Sequence, residues 1–463
     1  MMNGQKNRTI LAVVFTLVLY FFFAYFVERE NFYALASQYI ILFVPFFYFL
    51  KFEPKNFSLL VGISILLRLV FLFAIPNLSQ DFYRFIWDGR MILEGFNPYI
   101  SLPETFIQER NFPINEAAEL YQGMGPLNGS HYTNYPPINQ LNFLIAAILS
   151  NSSILGAAIV FRVQIILADI GIIYFGKNIL EKLNLPVHHI FLYALNPFII
   201  IEMTGNLHFE PVMLFFLVWS FHLLLKEKWM WAAILLGVSV SVKLIPLLFL
   251  PLFFQFFSFD SSTTLATSKL NKRKFSFIGF GKLCLFGLTV ILTNIVLFLP
   301  FLSSELIGSY TNSVGLWFRN FEFNASLYYI AREIGYTFRG YNEIAVIGKI
   351  MPAIAIVFLA IITFFRKNKT PQQLITALLI GLTFYYFTTT TMHPWYLATL
   401  VLLSAFTRYR FTIIWSIAII LSYQAYANDP WKENLWIVGL EYLLVFGALF
   451  YEVFKKKKVI LNE

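Results

Sequence analysis

Apolar residues along this chain come in long, nearly unbroken runs rather than in the short periodic groups of a water-soluble fold. Runs lie at 9–27, 32–50, 58–76, 153–175, 190–204, 209–225, 229–242, 244–257, 277–302, 346–365, 374–391, 395–406, 411–427 and 434–453. Most approach the roughly 17–25 residues that cross a bilayer as a helix, so the pattern predicts an all-α polytopic membrane protein with about 13–14 transmembrane helices. Some runs are short or interrupted, as at 244–257, which contains Pro246 and Pro251. The apolar stretch 138–150 is also short and follows Tyr135-Pro136-Pro137. A crossing there would invert every later loop, so a half-inserted or juxtamembrane helix is expected. Two gaps, 77–152 and 303–345, are too long for simple turns. Their Trp, Tyr and Phe recur at helical spacing, which predicts juxtamembrane helices within both. No fixed-period repeat or inverted pair of halves is visible. The organisation expected is one membrane domain over 1–463, with N-terminal spans (1–76), a first loop (77–152), central spans (153–302), a second loop (303–345) and C-terminal spans (346–463).

Composition agrees with that pattern. Of 463 residues, 58% are hydrophobic and only 13% charged, about half the charge of a typical soluble domain. This excludes a soluble enzyme and a disordered chain. The lone Cys284 excludes an intramolecular disulfide and a thiolate metal cluster. A net charge of +9 would suggest nucleic acid in a soluble protein. Here the cations alternate between loops. One side collects Lys6 and Arg8, Lys51 and Lys55, Lys177 and Lys182, Lys226 and Lys228, the group Lys269, Lys272, Arg273, Lys274 and Lys282, then Arg366, Lys367 and Lys369, Arg408 and Arg410, and Lys455 to Lys458. Cytoplasmic loops are enriched in Lys and Arg. Both termini are therefore expected in the cytoplasm and both long loops at the outer face, in a multi-pass protein of a prokaryotic cytoplasmic membrane. The lipid bilayer is then the partner of the basic loops, and nucleic acid is not. The first run is too long for a signal-peptide core and is expected to be retained.

The densest polar cluster is Ser79-Gln80-Asp81-Phe82-Tyr83-Arg84-Phe85-Ile86-Trp87-Asp88-Gly89-Arg90. On a helix, Asp81, Arg84 and Asp88 share a face, and Phe82, Phe85 and Ile86 are expected to face lipid. Such a row either solvates a surface helix or presents two carboxylates and an arginine to a cavity. Lys243 interrupts an apolar run near the outer face; it is a candidate anion contact, with snorkelling to headgroups as the plainer alternative. Arg319 and Arg332 lie near Trp317, Asn324 and Tyr328, a set suited to holding a phosphorylated sugar, or to anchoring an amphipathic segment. His208 and Glu210 supply two possible metal ligands beside Asp81, with no third at fixed spacing; a divalent ion is conceivable but no metal or other cofactor is expected. His393-Pro394-Trp395-Tyr396 opens a helix, where anions bind readily. Arg162 and Asp169 are expected to pair within the membrane, while Arg68 has no obvious partner. His131, His188, His189 and His222 read as loop or interface residues.

These residues also resemble a known pattern. Asp81, Arg84, Trp87-Asp88-Gly89-Arg90 and Gly95-Phe96-Asn97-Pro98-Tyr99 are similar to the first outer-loop signature of C-type (GT-C) glycosyltransferases, above all the bacterial polyprenol-phosphate-mannose-dependent mannosyltransferases. Phe85 stands where that pattern often has Tyr. Tyr135-Pro136-Pro137, Phe161-Arg162 with Asp169, Asn196-Pro197, Glu202, Gly205-Asn206-Leu207-His208-Phe209-Glu210, Lys243-Leu244-Ile245-Pro246 and His393-Pro394-Trp395-Tyr396 resemble later motifs in the same order. Glu210 replaces a frequent Asp. The resemblance implies a GT-C-like bundle that moves a hexose, mannose first, from a polyprenyl-phosphate donor to a glycan, lipid or protein acceptor at the outer face. It implies inversion at the anomeric carbon, with Asp81 as general base. Asp88, Arg84, His208 and Glu210 would hold the acceptor or orient the groups that do. Lys243, Arg319, Arg332, His393 and Tyr396 would hold the donor phosphate or sugar. Helical spacing itself does not choose between Asp81 and Asp88. The alternative is a transporter or flippase of lipid-linked sugar, which would place its charges near the midplane.

Overall fold

The computed structural model of the chain describes residues 2–259, 275–319 and 321–460, with side chains described at 5–259, 275–315 and 321–455. The basic residues Lys269, Lys272, Arg273 and Lys274 fall outside the described residues. Helix accounts for every apolar run, and the only extended pairings among the described residues are two isolated bridges, Phe259 with Phe275 and Phe323 with Thr391. The protein is an all-α polytopic membrane protein.

α1 (Met2–Phe26) is one rod, while α2 (Phe32–Ile41) and α3 (Phe43–Phe52) share the next span across Leu42. α4 (Phe57–Leu69) starts at Asn56, whose side chain accepts from the Leu59 amide and so satisfies a free donor at the helix start. The first long loop folds into α5 (Asp81–Leu93), α6 (Pro103–Gln108), α7 (Ala117–Gly129) and α8 (Pro137–Ser150). α9 (Ile154–Lys182) leads to α10 (Phe191–Ala194), which meets the π-helical turn Ile199–Gly205 at a 58° bend. α11 (Glu210–Leu224) and α12 (Trp229–Val240) form a hairpin, followed by a 3-10 stretch, Ile245–Phe253, that runs into α13 (Phe254–Ser258). After α14 (Phe277–Phe298), the second long loop carries α15 (Leu306–Arg319) and α16 (Leu327–Arg339). The chain closes with α17 (Ile344–Phe364), α18 (Pro371–Thr388), α19 (Ala398–Ala405), α20 (Phe411–Ala418), a 3-10 stretch Ile419–Ala427, and α21 (Leu435–Ile460).

Among the described residues, six helices are long and apolar enough to cross a membrane unaided, or seven if the bent pair counts as one span. The expected 13–14 is therefore not met by whole helices. The remaining runs are shorter apolar helices, such as Phe57–Leu69, Glu210–Leu224 and Trp229–Val240, or broken ones. The breaks have causes. Pro246 and Pro251 lack the amide donor a regular helix requires. The bend at Asn196-Pro197 is held because Asn196 accepts from the Phe198 amide and donates to Ser416 Oγ.

Two expectations about packing need correction. Phe82, Phe85 and Ile86 do not face lipid; each is at most 2% exposed. Phe85 stacks on Phe143 at 4.7 Å and meets Phe161, Phe209 and Tyr135 edge-on. α5 is thus clamped between α8 and α9, because its aromatic face finds aromatic partners there. Gly89 permits the approach: a Cβ there would lie 2.2 Å from the Phe143 carbonyl oxygen. The intramembrane pair is also re-partnered. Asp169 binds Arg68 at 2.7 Å and accepts from Tyr193 Oη at 2.9 Å. Arg162 instead donates to the carbonyls of Leu72, Thr204 and Gly205. Seven residues along a helix is about 10.5 Å of rise, too far for Arg162 and Asp169 to pair, so each reaches a neighbouring element.

Candidate active site

A cavity of about 1080 Å³ opens where α5, the turn after α12 that carries Lys243, and the turn before α19 converge. One limb is apolar. Leu247, Leu248 and Pro251 of the 3-10 stretch line it opposite Ile356, Leu359, Ala360, Thr363 and Phe364 of α17. Those α17 positions are spaced as one helix face, so the limb follows that helix through its second half. The other end carries Asp81, Arg84, Asn128, Lys243, His393, Trp395 and Tyr396, with Arg29, Tyr426 and Trp431.

The start of α5 is fixed by its neighbours. Asn206 Oδ1, from the Gly-Asn-x-His turn, accepts from the Leu78 amide, and the Asp81 amide donates to Ser79 Oγ. Asp81 is partly buried, lines the cavity and accepts from Asn128 Nδ2 at 3.3 Å. Burial raises its carboxyl above the ordinary value, opposed by the Asn128 amide and by the positive charges of Lys243 and Arg29. Asp88 is different. It is fully buried, away from the cavity lining, and both its oxygens are taken: Arg84 Nε donates at 2.8 Å and Gln140 Nε2 at 3.0 Å. Arg84 also donates to the Asn128 and His131 carbonyls, which ties α7 to α5. Arg90 binds Glu116 and the Asn115 and Ser152 carbonyls. Most of the Trp87-Asp88-Gly89-Arg90 motif therefore builds the scaffold that presents Asp81.

Lys243 lines the cavity and its ammonium is held by Glu210 Oε1 at 2.5 Å. Glu210 is buried outside the lining, so it acts on the cavity through Lys243. His208 is likewise behind the wall. It stacks on Trp395 at 4.0 Å, and Trp395 stacks on His393 at 4.4 Å, so the Gly-Asn-x-His and His-Pro-Trp-Tyr motifs meet in one sandwich. With His208 turned to Trp395 and Glu210 to Lys243, neither joins Asp81. Among the described residues no group of three or more His, Cys, Asp or Glu side chains is placed to hold a metal.

The second loop contributes less than expected. Arg332 does not line the cavity; it binds Glu322 at 2.6 Å and Glu333 at 3.1 Å and lies over the Tyr329 ring. Tyr328 Oη and Asn342 donate to the same Glu322. Asn324 is buried against α21, donating to Glu441 at 3.2 Å through its side chain and to Glu433 at 2.7 Å through its amide. Arg319 ends α15, but its side chain lies outside the described residues, as does that of Trp317. The structure thus gathers Asp81, Arg84, Lys243, His393 and Tyr396 at the cavity and leaves Asp88, His208, Glu210 and Arg332 behind it. Sequence reasoning missed Arg29, Asn128, Tyr426 and Trp431. Only Arg29 carried a signal, as a cation in a loop expected to be poor in them.

Residues 48–257 match the MptA_B family model, described as the alpha-(1->6)-mannopyranosyltransferase N-terminal domain. A curated relative, alpha-(1->6)-mannopyranosyltransferase A of Corynebacterium glutamicum, is 26% identical over 190 residues, covering 39% of this chain and 35% of the relative. The chain thus spans about a third of the length of the curated relative it matches. Asp81, Arg84, Asn128, Glu210 and Lys243 fall inside the matched segment, and His393, Tyr396 and Trp431 beyond it. The resemblance to GT-C mannosyltransferases carried by the motifs up to Lys243-Leu244-Ile245-Pro246 thus coincides with the segment that supplies about half of the cavity lining.

Proposed function

We propose that the chain is a membrane glycosyltransferase that moves mannose from a polyprenyl-phosphate donor to an acceptor hydroxyl, with inversion at the anomeric carbon. The observation that carries this is one cavity with an apolar limb along α17 and, at its other end, a carboxylate and a cation. A half-lipid, half-polar substrate has that shape. The isoprenoid would lie along Leu247, Leu248 and α17, which bury apolar surface at roughly 25 cal/mol per Å². Lys243, aimed by Glu210, would meet the phosphate, with His393 and Tyr396 beside the sugar. Asp81 would take the proton from the acceptor hydroxyl as that oxygen bonds to the anomeric carbon. The bond from that carbon to the phosphate oxygen breaks in the same step, and polyprenyl phosphate leaves with the electron pair. The transition state is oxocarbenium-like. Phosphate needs little acid help to leave, and Lys243 offsets its charge, so no metal is invoked. The mannopyranosyltransferase name of the Corynebacterium glutamicum relative supports mannose over another hexose. The basic loops support cytoplasmic termini and a reaction at the outer face of a prokaryotic cytoplasmic membrane.

The test is wild-type protein in proteoliposomes with radiolabelled polyprenyl-phosphate mannose and a membrane-lipid extract. Labelled product with release of polyprenyl phosphate is expected. Movement of intact donor between leaflets without product would replace this reading with a flippase.

A further inference from the structure

The corner of the cavity built by Arg29, Tyr426 and Trp431 belongs to elements that take no part in the apolar limb: the turn after α1 and the segment that follows α20. Arg29 lies flat over Tyr426, its guanidinium carbon 4.4 Å from the ring centroid. It donates to the Leu78 carbonyl at 3.3 Å, three residues before Asp81, and faces Glu30 at 3.7 Å. Its Nε, 3.7 Å from the Glu30 carboxylate, is buried and has no hydrogen-bond partner among the described residues. Stacking on an aromatic ring fixes the plane of the guanidinium and the direction of its donors. Trp431 is 46% exposed at the rim, with Phe323 at 6.1 Å, and Phe323 lies 5.9 Å from Tyr426. A large apolar face open to the cavity beside an oriented set of N–H donors is complementary to a pyranose, which has a C–H face and a hydroxyl edge.

We propose that Arg29, Tyr426 and Trp431 form the acceptor subsite, and that it takes the terminal pyranose of a glycan, stacked on Trp431 and hydrogen-bonded by Arg29 with its reacting hydroxyl toward Asp81. The assignment rests on the transferase reading for its name as acceptor subsite, but the sugar contact itself does not require turnover. The donor phosphate would be met by Lys243, which continues directly into Leu244, Leu247 and Leu248 of the apolar limb. Arg29 stands apart from that limb and next to the strand of chain leading into α5.

The test is binding of octyl α-mannopyranoside to full-length protein in nanodiscs, followed by saturation-transfer NMR. A sugar-free octyl tetraethylene glycol serves as control, and affinity for polyprenyl-phosphate mannose is measured in parallel. Trp431→Ala and Arg29→Gln should each weaken octyl mannoside binding about tenfold or more. Trp431→Phe should restore most of it, and donor affinity should change less than about twofold. If transfer is detected, the same variants should raise the acceptor KM with little change in kcat. Unchanged octyl mannoside binding in both variants, or binding equal to that of the sugar-free control in wild type, overturns the proposal and leaves Trp431 as an interfacial anchor. Loss of donor affinity in Arg29→Gln also overturns it, by moving Arg29 to the phosphate. Variant-sensitive binding without any transfer by wild type keeps the sugar subsite and removes the transferase reading instead. Trp431→Phe and Arg29→Lys keep the test readable if the harsher variants fail to fold.

Discussion

The two long loops are alike in composition and unlike in what they do. Both combine aromatic residues with Asp or Glu and Arg. In the first, Asp88 absorbs Arg84 and Gln140, while Asp81, seven residues earlier, forms no ion pair among the described residues and faces the cavity. In the second, Arg332 is held by Glu322 and Glu333, and Asn324 by Glu433 and Glu441. The lesson is that charge neutralisation separates the two. A polar side chain whose partners are all within the protein supports the fold, and one facing an empty volume is available for chemistry.

The strongest way to break this contrast is at Asp81. Asp81→Asn should cut the transfer rate by about 10²–10⁴-fold, the usual range for losing a general base. Arg332→Ala should leave it within about threefold; equal losses at both positions would erase the distinction. Next is Asp88→Asn, which breaks a buried ion pair and should destabilise by about 3–5 kcal/mol. Its mark is a lower melting temperature in detergent, with residual activity in the folded fraction. Lys243→Met should weaken donor binding by roughly 10–100-fold, the value of about 1.5–3 kcal/mol for a charged hydrogen bond. Glu210→Gln should have a smaller effect in the same direction, because it releases Lys243 without removing it.

The pH profile sharpens the same comparison. A base acts only when deprotonated, so the rate should fall as pH drops through the Asp81 pKa. Burial holds that pKa above the ordinary carboxylate value, which places the acid limb at higher pH than for an exposed aspartate. Lys243 lowers the same pKa, so in Lys243→Met the limb should move to still higher pH. A limb that stayed in place would separate Lys243 from Asp81. The smallest effect is expected at Glu322→Gln, a stability loss of about 1–3 kcal/mol with donor and acceptor KM unchanged.

Much of this architecture was legible in the pattern of apolar runs, since bilayer thickness imposes a length that composition alone reveals. The motif residues Asp81, Lys243, His393 and Tyr396 were also legible, and they meet. What could not be read was partner choice. Helical spacing put Asp81 and Asp88 on one face, but Gln140 of α8 and Asn128 of α7, each some fifty residues away, decide which stays available. Arg162 and Asp169 misled for the same reason, since Arg68 lies on another helix. Nor could periodicity tell lipid from protein as the neighbour of Phe85, because Phe143, Phe161 and Phe209 are as apolar as an acyl chain. Tyr426 and Trp431 left no trace, being single aromatics in a chain with many.

The most direct measurement is single-turnover transfer by Asp81→Asn and Asp88→Asn beside wild type, in proteoliposomes saturated with donor, with donor affinity determined on the same samples. Asp81→Asn is expected to bind donor as wild type does and to form no product, while folded Asp88→Asn still turns over. Product from Asp81→Asn at the wild-type rate, or its loss only in Asp88→Asn at unchanged stability, would contradict Asp81 as the base.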